Sequence, residues 1–376
     1  MAGIYLHVPF CKRRCIYCDF FSTTQIERKT AYVHALCSEL EMRKEYLGGE
    51  TVETIYWGGG TPSQLDKEDF ETIFSYIYKN YSIGSHPEIT LEANPDDLSP
   101  KYIAMLRTLP FNRLSMGIQT FNESILKVLQ RRHTARQAIE AFQNCRAAGF
   151  QNISIDLMYG LPGETLSTWQ QDLDQALLLH PEHLSAYHLI YEEDTVLWKL
   201  REQHKVEEAD EDLSVSLFST LIDRLTSEGY DHYEISNFSL PGLYSRHNSS
   251  YWTEKKYLGC GPSAHSYNGV SRQWNVASLD TYIKGISAGT PVFEIEELDL
   301  YTRYNDFLIT RIRTEWGMPL SKLRDEFGEK LYDYCLRMAA PHLKQGTLEL
   351  VNDVLRLTRK GIFISDGIMS DMLWTD

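Results

Sequence analysis

The sequence predicts an α/β fold in which a partial (β/α)6 barrel is followed by a C-terminal α+β domain that resembles a winged helix. Up to about residue 195, short runs rich in β-branched and aromatic residues alternate with longer stretches of helical spacing. Near the C-terminus the order changes to helices followed by a hairpin pattern. With 376 residues, 43% of them hydrophobic, the chain is long enough for two or three domains.

Six strands are predicted in the first half of the chain, with helices between them. The strands are expected at residues 3–8, 52–57, 88–94, 113–119, 152–159 and 183–190. The helices are expected at residues 27–46, 66–80, 99–108, 122–147 and 164–179. Because neighbouring parallel strands need a long crossover, which a helix supplies, this order predicts a parallel sheet that closes into part of a barrel.

The remaining sequence divides into two further regions, so that we expect a barrel core at residues 1–195, a barrel extension at 196–295 and a C-terminal domain at 296–376. In the last region, helices at 301–313, 319–327 and 329–343 precede strands at 348–351 and 354–358. Helices followed by a hairpin predict a winged-helix-like domain. Such domains often bind DNA, but they serve at least as often in packing or protein interaction.

The charge of the chain argues against binding of nucleic acid through bulk electrostatics. Acidic residues outnumber basic ones, 52 against 37, which gives a formal net charge of -15. No apolar run is long enough to predict a transmembrane helix, and the N-terminus lacks the pattern of a secretory signal. We therefore expect a cytoplasmic protein that does not bind nucleic acid.

Polar and glycine-rich residues recur at the carboxyl ends of the predicted strands. A cysteine loop follows the first strand, and Gly58-Gly59-Gly60-Thr61-Pro62 follows the second. Glu92, Gln119 and Asp156 lie at or near the ends of later strands. Since the carboxyl ends of parallel barrel strands meet at one face, we expect one site built from all of them.

The cysteine loop carries Cys11, Cys15 and Cys18 in a C-x3-C-x2-C spacing, with three basic residues between the first two. Three thiolates on so short a loop favour an iron-sulfur cluster, and a cluster with three protein ligands leaves one iron open. A structural zinc site that uses His7 as a fourth ligand is an alternative, as is a chance group of free thiols.

The other four cysteines are scattered, and the odd total of seven argues against a disulfide framework. Cys37, Cys145 and Cys335 lie in apolar helical patterns, where a lone cysteine is usually a core residue. The segment 259–264 fits a loose G-x-G-x-x-A pattern, but no helix follows it, and we expect a loop.

The chain resembles the radical S-adenosylmethionine (SAM) superfamily in three features. They are the spacing of the cysteines, the segment before them with Tyr5 and His7-Val8-Pro9-Phe10, and the glycine-rich segment after the second strand. More narrowly, they resemble the family of oxygen-independent coproporphyrinogen III oxidases and HemW-type haem chaperones. The resemblance implies that Cys11, Cys15 and Cys18 hold a 4Fe-4S cluster and that the open iron binds S-adenosylmethionine.

The same resemblance implies a set of residues that contact S-adenosylmethionine: Tyr5, Tyr17, Gly59, Gly60, Thr61, Glu92, Gln119, Arg131 and Asp156. From the residues alone other roles remain open. Arg131 could be a solvated helix residue, and Glu92 or Asp156 could cap the helices that follow them. The sequence assigns no catalytic residue.

Two positions distinguish the relatives within that family. The oxidases have a further cysteine two residues after the third, where this chain has Phe20. The segment that begins at His247 matches the H-N-x-x-Y-W motif associated with haem binding, which implies haem contacts for His247, Tyr251 and Trp252. A lone histidine beside two aromatic residues is more often structural. We expect this motif near the mouth of the barrel.

The resemblance therefore implies a haem chaperone that binds a 4Fe-4S cluster, S-adenosylmethionine and haem, and that transfers haem to an acceptor haemoprotein. An oxygen-independent coproporphyrinogen III oxidase is the alternative, although Phe20 argues against that activity. A plain electron carrier or a zinc-stabilised scaffold is a third hypothesis. Peripheral contact with membrane-bound acceptors, and a monomeric or homodimeric state, are both compatible with the sequence.

Overall fold

A computed structural model describes residues 2–375 and confirms the predicted α/β fold. The centre of the molecule is a run of six neighbouring strands, each parallel to the next. These strands are β1 (Ala2–Val8), β2 (Val52–Gly59), β3 (Ile83–Ala93), β4 (Arg113–Gln119), β5 (Ile153–Tyr159) and β6 (His183–His188). All six predicted strands are present, and the largest difference is an earlier start of β3.

Helices on the outside of the curved sheet connect these strands. They are α1 (Lys29–Met42), α2 (Lys67–Asn80), α3 (Pro100–Leu106), α4 (Glu123–Val128), α5 (Ala135–Ala147) and α6 (Leu166–Leu179). The outward residues of the strands, such as Leu6, Trp57 and Leu114, are fully buried. Burial of this apolar outer face against the helices supplies most of the stabilisation of the barrel.

The prediction of one continuous helix over residues 122–147 is wrong, because α4 ends at Val128 and α5 begins at Ala135. Gln130 has a φ of 57°, which turns the chain out of the helix. Thr134 then starts α5 with a capping box, in which its side chain accepts from the N–H of Gln137 while the Gln137 side chain accepts in return. The break places Arg131 in a connection rather than on a helix.

The region after β6 extends the sheet at both edges. Its elements are α7 (Val196–Glu202), α8 (Glu211–Ser227), β7 (Asp231–Glu234), β8 (Asn237–Ser239), α9 (Arg246–Trp252), β9 (Tyr257–Cys260), β10 (His265–Tyr267), β11 (Ser271–Asn275), α10 (Leu279–Ser287) and β12 (Phe293–Glu297). In residues 2–375 the resulting sheet has twelve strands, in the order β12-β11-β10-β9-β1-β2-β3-β4-β5-β6-β8-β7.

Strand β9 pairs in parallel with β1, so that the extension continues directly from the first barrel strand. Its last residues, Gly259 and Cys260, lie in the segment for which a loop was expected, and that expectation holds only from Gly261 onward. The turn at Gly261 to Ala264 leads into β10 rather than into a helix, which agrees with the rejection of a phosphate-binding loop.

The C-terminal region has its own hydrophobic core. Its elements are α11 (Leu300–Ile312), β13 (Met318–Pro319), α12 (Leu320–Gln345), β14 (Leu348–Val351), β15 (Val354–Leu357), α13 (Arg359–Ile362) and α14 (Ser365–Met372). Helix α12 breaks at Gly328, which separates the two predicted helices. Asn352 and Asp353 both have positive φ and join β14 to β15 in a tight hairpin, as predicted. The sequence did not predict β13, α13 or α14.

All seven cysteines lie within the described range, and none of them forms a disulfide bond there. Cys37, Cys145 and Cys335 are buried in hydrophobic clusters, which confirms their prediction as core residues. Over residues 2–375, no helix is both long and apolar enough to cross a membrane.

A buried carboxylate fastens the extension to the barrel. Glu39 on α1 is 1% exposed and accepts four hydrogen bonds, one from the next turn of its own helix and three from other parts of the fold. The donors are Arg43 Nη1 at 3.1 Å, the N–H of Gly261 at 2.8 Å, Asn275 Nδ2 at 2.7 Å and the Tyr282 hydroxyl at 2.6 Å. Glu39 therefore joins α1 to β11, to α10 and to the turn after β9.

The substitution Glu39→Ala should lower the free energy of unfolding by about 3–5 kcal/mol, because it leaves the Arg43 charge buried without its partner. Urea denaturation monitored by circular dichroism measures this change. Glu41→Ala, on the same helix, removes an exposed pair with Lys79 and should cost at most about 0.5 kcal/mol. Equal losses in the two variants would contradict the role of Glu39.

Candidate functional site

The cysteine loop is held at its start and at its centre. Just after β1, the N–H of Cys11 donates to the carbonyl of Thr23 at 2.8 Å. In the middle of the loop, Ile16 is buried in a small hydrophobic cluster, and its carbonyl accepts from the N–H of Leu197 at 2.9 Å. Cys11, Cys15 and Cys18 are each partly exposed. The loop thus presents its thiols to one side while Ile16 fixes it to the barrel.

Polar groups from the strand ends contact two of the three thiols. Cys11 Sγ lies 3.3 Å from Thr61 Oγ1, and Arg131 Nη1 lies 3.3 Å from Cys15 Sγ. Burial raises the pKa of the Cys18 thiol to about 11 and also raises that of Cys11. Without a metal these two side chains are therefore protonated thiols at neutral pH, and metal binding would release their protons.

The described residues contain no group of three or more His, Cys, Asp or Glu side chains arranged to hold a single metal ion. In a 4Fe-4S cluster each cysteine binds a different iron, so its ligands need not meet at one point. The zinc alternative also loses its proposed fourth ligand. His7 Nε2 lies 2.9 Å from the carbonyl of Phe21, and its Nδ1 lies 3.2 Å from the Tyr5 hydroxyl.

The basic residues of the loop anchor it to neighbouring segments. Lys12 Nζ pairs with Asp97 at 2.6 Å, and Arg13 Nη2 donates to Gln130 Oε1 at 2.5 Å. Asp97 also accepts from Ser63 Oγ at 2.9 Å. These contacts tie the cysteine loop to the connections after β2, β3 and α4.

The glycine-rich segment packs tightly against the end of β1. A Cβ on Gly58 would lie 3.0 Å from the Tyr5 ring, and Gly59 has a φ of 107°, which side-chain-bearing residues rarely adopt. The N–H of Gly60 donates to the carbonyl of Val8 at 2.8 Å. Because glycine has no side chain, this segment lies close to β1, and Thr61 lies next to Cys11. A backbone that no side chain covers suits a ligand that approaches it closely.

The inner face of the barrel is polar because polar residues alternate with apolar ones along the strands. Tyr56 donates its hydroxyl to Glu92 Oε1 at 2.7 Å, and Ser115 Oγ donates to Asp156 Oδ1 at 3.2 Å. Burial raises the pKa of Glu92 to about 7 and that of Asp156 to about 6. The lumen therefore contains two carboxylates that are easily protonated and that would favour a cationic ligand group.

A buried arginine, Arg113, lies near these carboxylates. Arg113 is 1% exposed, and its Nε and Nη1 atoms have no hydrogen-bond partner among the residues that the structure describes. Its charge lowers the pKa values of Glu92 and Asp156 against the larger effect of burial. Unpaired donors of a buried guanidinium are costly, so these two nitrogens are available to a polar ligand or to water in the lumen.

Arg131 connects the cysteine loop to the strand ends. Its Nη1 contacts Cys15 Sγ, while its Nη2 donates to Asn94 Oδ1 at 2.7 Å and to the carbonyl of Gly117 at 2.5 Å. The Tyr17 hydroxyl lies 3.4 Å from Nη1. Arg131 is consequently not a solvated helix residue.

The structure brings all nine sequence-predicted residues for S-adenosylmethionine to the carboxyl half of the barrel. Gln119 ends β4 with a φ of 71° and lies beside Gly117. Residues that lie at this end or on the inner face just below it are Tyr5, Tyr17, Gly59, Gly60, Thr61, Glu92, Gln119, Arg131 and Asp156. The donor set, with acidic, basic and backbone groups around three thiols, fits a cluster and a zwitterionic cofactor, which when bound supply one-electron chemistry.

The H-N-x-x-Y-W motif begins at the opposite end of the barrel. His247 is 1% exposed, and its Nδ1 and Nε2 atoms lie 2.8 Å from Thr54 Oγ1 and 2.9 Å from the Tyr251 hydroxyl. The carboxylate of Glu88, early in β3, accepts from the N–H groups of Arg246 and His247, which fixes the start of α9 there. The expected position near the barrel mouth is therefore wrong for His247.

Tyr251 and Trp252, by contrast, lie on a surface cleft. A cavity of about 660 Å³ is lined by both rings and by residues of the extension and of the C-terminal region. Tyr251 also lines a smaller cavity of about 380 Å³, which lies beside the cysteine loop. Tyr5, His7 and Phe20 line this smaller cavity as well. Phe20 is 64% exposed there.

Sequence reasoning missed Arg113 and His265 as candidate site residues. For Arg113 a signal was present, because Arg113, Ser115, Gly117 and Gln119 alternate with apolar residues along β4. Strands of a parallel sheet that are buried on both faces are usually continuously apolar, so this alternation marks a polar lumen. His265 carries no comparable pattern, and only the folded structure places it on both cavities.

Comparison with protein families identifies two matching regions. Residues 5–176 match the radical SAM superfamily, and residues 298–364 match the HemN C-terminal domain. Among curated proteins, heme chaperone HemW of Mycobacterium tuberculosis is 33% identical, with 99% of this chain and 94% of the relative covered. Heme chaperone HemW of Bacillus subtilis is 31% identical, with 99% of each chain covered.

A similar fold is present in the solved structure of coproporphyrinogen III oxidase (HemN) from Escherichia coli, a radical SAM enzyme. The TM-score is 0.86 at 23% sequence identity, and the match covers 99% of this chain and 89% of the oxidase chain. At this identity the likeness establishes the fold.

The raised pKa of Glu92 predicts a specific pH dependence of stability in the cluster-free protein. Folding raises the Glu92 pKa from 4.5 to about 7, so between these values the folded chain holds a proton that the unfolded chain has released. Its free energy of unfolding therefore falls as pH rises. Glu92→Gln cannot titrate, and wild-type stability relative to this variant should fall by about 2 kcal/mol between pH 5 and 8.

Urea denaturation of the two proteins across this pH range measures the difference. The comparison is needed because buried histidines such as His247, whose pKa is lowered to about 3 mainly by burial, change stability in the opposite sense below their ordinary pKa. Glu71→Gln, on the outer surface of α2, is the control and should follow the wild-type profile. A difference between wild type and Glu92→Gln that stays constant with pH would contradict the buried position of Glu92.

Proposed function

The chain belongs to the HemW family within the radical SAM superfamily, and from this membership we propose that it is a haem chaperone that binds a 4Fe-4S cluster, S-adenosylmethionine and haem. The proposal rests on sequence similarity to relatives named heme chaperone HemW, at 33% identity over 99% of this chain. The matched region includes the cysteine loop, the extension and the C-terminal region. In this function, haem is the cargo and is delivered to an acceptor haemoprotein.

The cluster is proposed to be held by Cys11, Cys15 and Cys18. Arg131 supports this assignment, since its guanidinium contacts Cys15 and would offset the charge of a thiolate-bound cluster. For S-adenosylmethionine, the proposed contacts are Tyr5, Tyr17, Gly59, Gly60, Thr61, Glu92, Gln119, Arg131 and Asp156. The carboxylates of the lumen suit its amino group, and Arg131, which contacts the cysteine loop, suits its carboxylate.

An oxygen-independent coproporphyrinogen III oxidase is the alternative function, and the shared fold with the Escherichia coli oxidase is the observation in its favour. Phe20 argues against it. Its exposed ring lines the smaller cavity at the position where the oxidase pattern has a further cysteine. The two functions predict different fates for a porphyrin: intact binding by a chaperone, and decarboxylation by an oxidase.

We propose that residues 1–195 form the cluster-binding barrel, that 196–295 form an extension that carries the haem motif, and that 296–376 form a winged-helix-like domain. The separate hydrophobic core after residue 300 supports the last boundary. We also propose a cytoplasmic protein, which meets membrane-bound haem acceptors only peripherally.

Replacement of any ligand cysteine should abolish the cluster. After anaerobic reconstitution, Cys15→Ser should lose the 4Fe-4S absorption and contain less than about a tenth of wild-type iron and sulfide. Cys145→Ser is the matched control, since Cys145 is buried in the core away from the loop, and its cluster content should equal that of wild type. Zinc without sulfide in the wild-type protein would contradict the cluster assignment.

Reconstituted protein should bind haem but leave coproporphyrinogen unchanged. Haem titration should give a saturable Soret band, and anaerobic incubation of coproporphyrinogen with S-adenosylmethionine and a reductant should yield no decarboxylated product by mass spectrometry. An active oxidase assayed in parallel is the positive control. Formation of protoporphyrinogen at a comparable rate would favour the alternative function.

A further inference from the structure

We propose that haem binds in the cleft between the sheet extension and the C-terminal helices, with His265 as an iron ligand and with Lys255 and Arg303 as partners of the two propionates. The proposal rests on the proposed function, because it takes haem as the cargo. It assigns the haem to a position other than His247, the histidine of the H-N-x-x-Y-W motif.

The cleft has the size and the walls of a site for a flat aromatic ligand. Its volume is about 660 Å³, within the range of about 300–1,000 Å³ typical of small-molecule sites. Aromatic rings reach it from separate elements: Trp252 from α9, Tyr257 from β9, Trp274 from β11 and Phe327 from α12. A porphyrin placed between these elements would stack on rings from both sides of the cleft.

His265 is available to bind a metal. It is exposed, it lines the cleft, and no hydrogen bond engages either ring nitrogen in residues 2–375. Burial of part of the ring lowers its pKa, so the imidazole is neutral at physiological pH and has the form that binds haem iron. The Trp274 ring lies beside it, at a centroid distance of 6.2 Å and an interplanar angle of 27°.

The charges of the cleft suit a ligand with two carboxylates. Lys255 and Arg303 line the cleft and form no salt bridge with any residue that the structure describes. Arg272 is different, because it pairs with Asp306 at 2.5 Å. Of the acidic lining residues, Glu254 is neutralised by Arg311 at 3.1 Å and by Lys322 at 2.7 Å.

Glu296 and Glu326 complete the set of acidic residues on the cleft wall, and Glu326 lies 3.4 Å from Lys322. Lys255 and Arg303 are therefore the cations of the cleft that remain for a ligand. Their side chains are long and flexible, so each can follow a propionate without a change of the backbone.

His247 has a different role in this arrangement. Both of its ring nitrogens are already engaged, and its Nε2 bond at 2.9 Å holds the hydroxyl of Tyr251, whose ring lines the cleft. His247 thus positions Tyr251 from inside the barrel. The motif contributes to haem binding through Tyr251 and Trp252 rather than through a bond from His247 to iron.

His265, the proposed iron ligand, lies between the cleft and the cavity beside the cysteine loop. Tyr251, Tyr257 and His265 line both the large cleft and the smaller cavity. The smaller cavity also contains Asp19 and Phe20, which directly follow Cys18. Haem bound through His265 would therefore have its iron at the side of the cleft that faces the cluster loop.

Spectroscopic titration of the reconstituted full-length protein tests the assignment of His265. In His265→Ala, haem affinity should fall by about tenfold or more, and the Soret and EPR spectra should lose the signature of a histidine ligand. Iron-free protoporphyrin IX has no metal to coordinate, so its affinity should be unchanged in this variant. His34→Ala, an exposed histidine on α1, is the matched control and should behave as wild type.

A second variant tests the propionate contacts. Lys255→Gln/Arg303→Gln should weaken haem binding by about tenfold. The same variant should bind haem dimethyl ester, which has no carboxylates, as wild type does.

The outcomes separate this inference from the proposed function. Wild-type protein that binds no haem would overturn both. Tight haem binding with an unchanged spectrum in His265→Ala would overturn this inference alone and leave the chaperone function in place. Cluster content, measured as iron and sulfide, should be equal in all of these variants, because none of the substituted residues touches the cysteine loop.

Discussion

The Arg131 guanidinium joins the cysteine loop to the strand ends of the barrel, and the arrangement of the site depends on this contact. One nitrogen lies 3.3 Å from Cys15 Sγ, and another donates to Asn94 Oδ1 at 2.7 Å and to the carbonyl of Gly117 at 2.5 Å. Arg131 lies in the interruption between α4 and α5, and from there its side chain reaches the cysteine loop and the strand ends. Because buried charge requires partners, this contact fixes the loop, the ends of β3 and β4, and the helix break together.

Much of the barrel could be predicted because its signals are local. Each strand is a short β-branched run followed by a turn, and the Asn352-Asp353 pair predicted the hairpin between β14 and β15. The break at residues 129–134 was missed because the apolar periodicity continues across it, while the capping box of Thr134 and Gln137 is the local sign that marks it. Periodicity reports which side faces the core, but it does not report an interruption that leaves the core face unchanged.

The position of His247 could not be predicted from sequence, since it depends on how α9 docks after β8. Glu88 holds the start of α9 beneath the barrel, and the Tyr56 ring stacks above His247 at a centroid distance of 4.9 Å. The buried lumen thus separates this histidine from the cysteine loop. Tyr251 links the two regions, because it is held by His247 and lines the cavities on the outer side. The sequence suggested that the residues of the H-N-x-x-Y-W motif contact haem together. In the structure His247 is buried and hydrogen-bonded, whereas the rings of Tyr251 and Trp252 line the cleft.

In the proposed function the protein carries haem intact and gives it to another protein. Anaerobic transfer of haem from the loaded, reconstituted protein to an apo-haemoprotein, followed by absorbance, measures this property. The donor's Soret band should decay while the acceptor's characteristic spectrum grows to a matching amount, with the porphyrin unmodified. A protein that does not load haem, or that retains it against an excess of acceptor, would not be a haem chaperone.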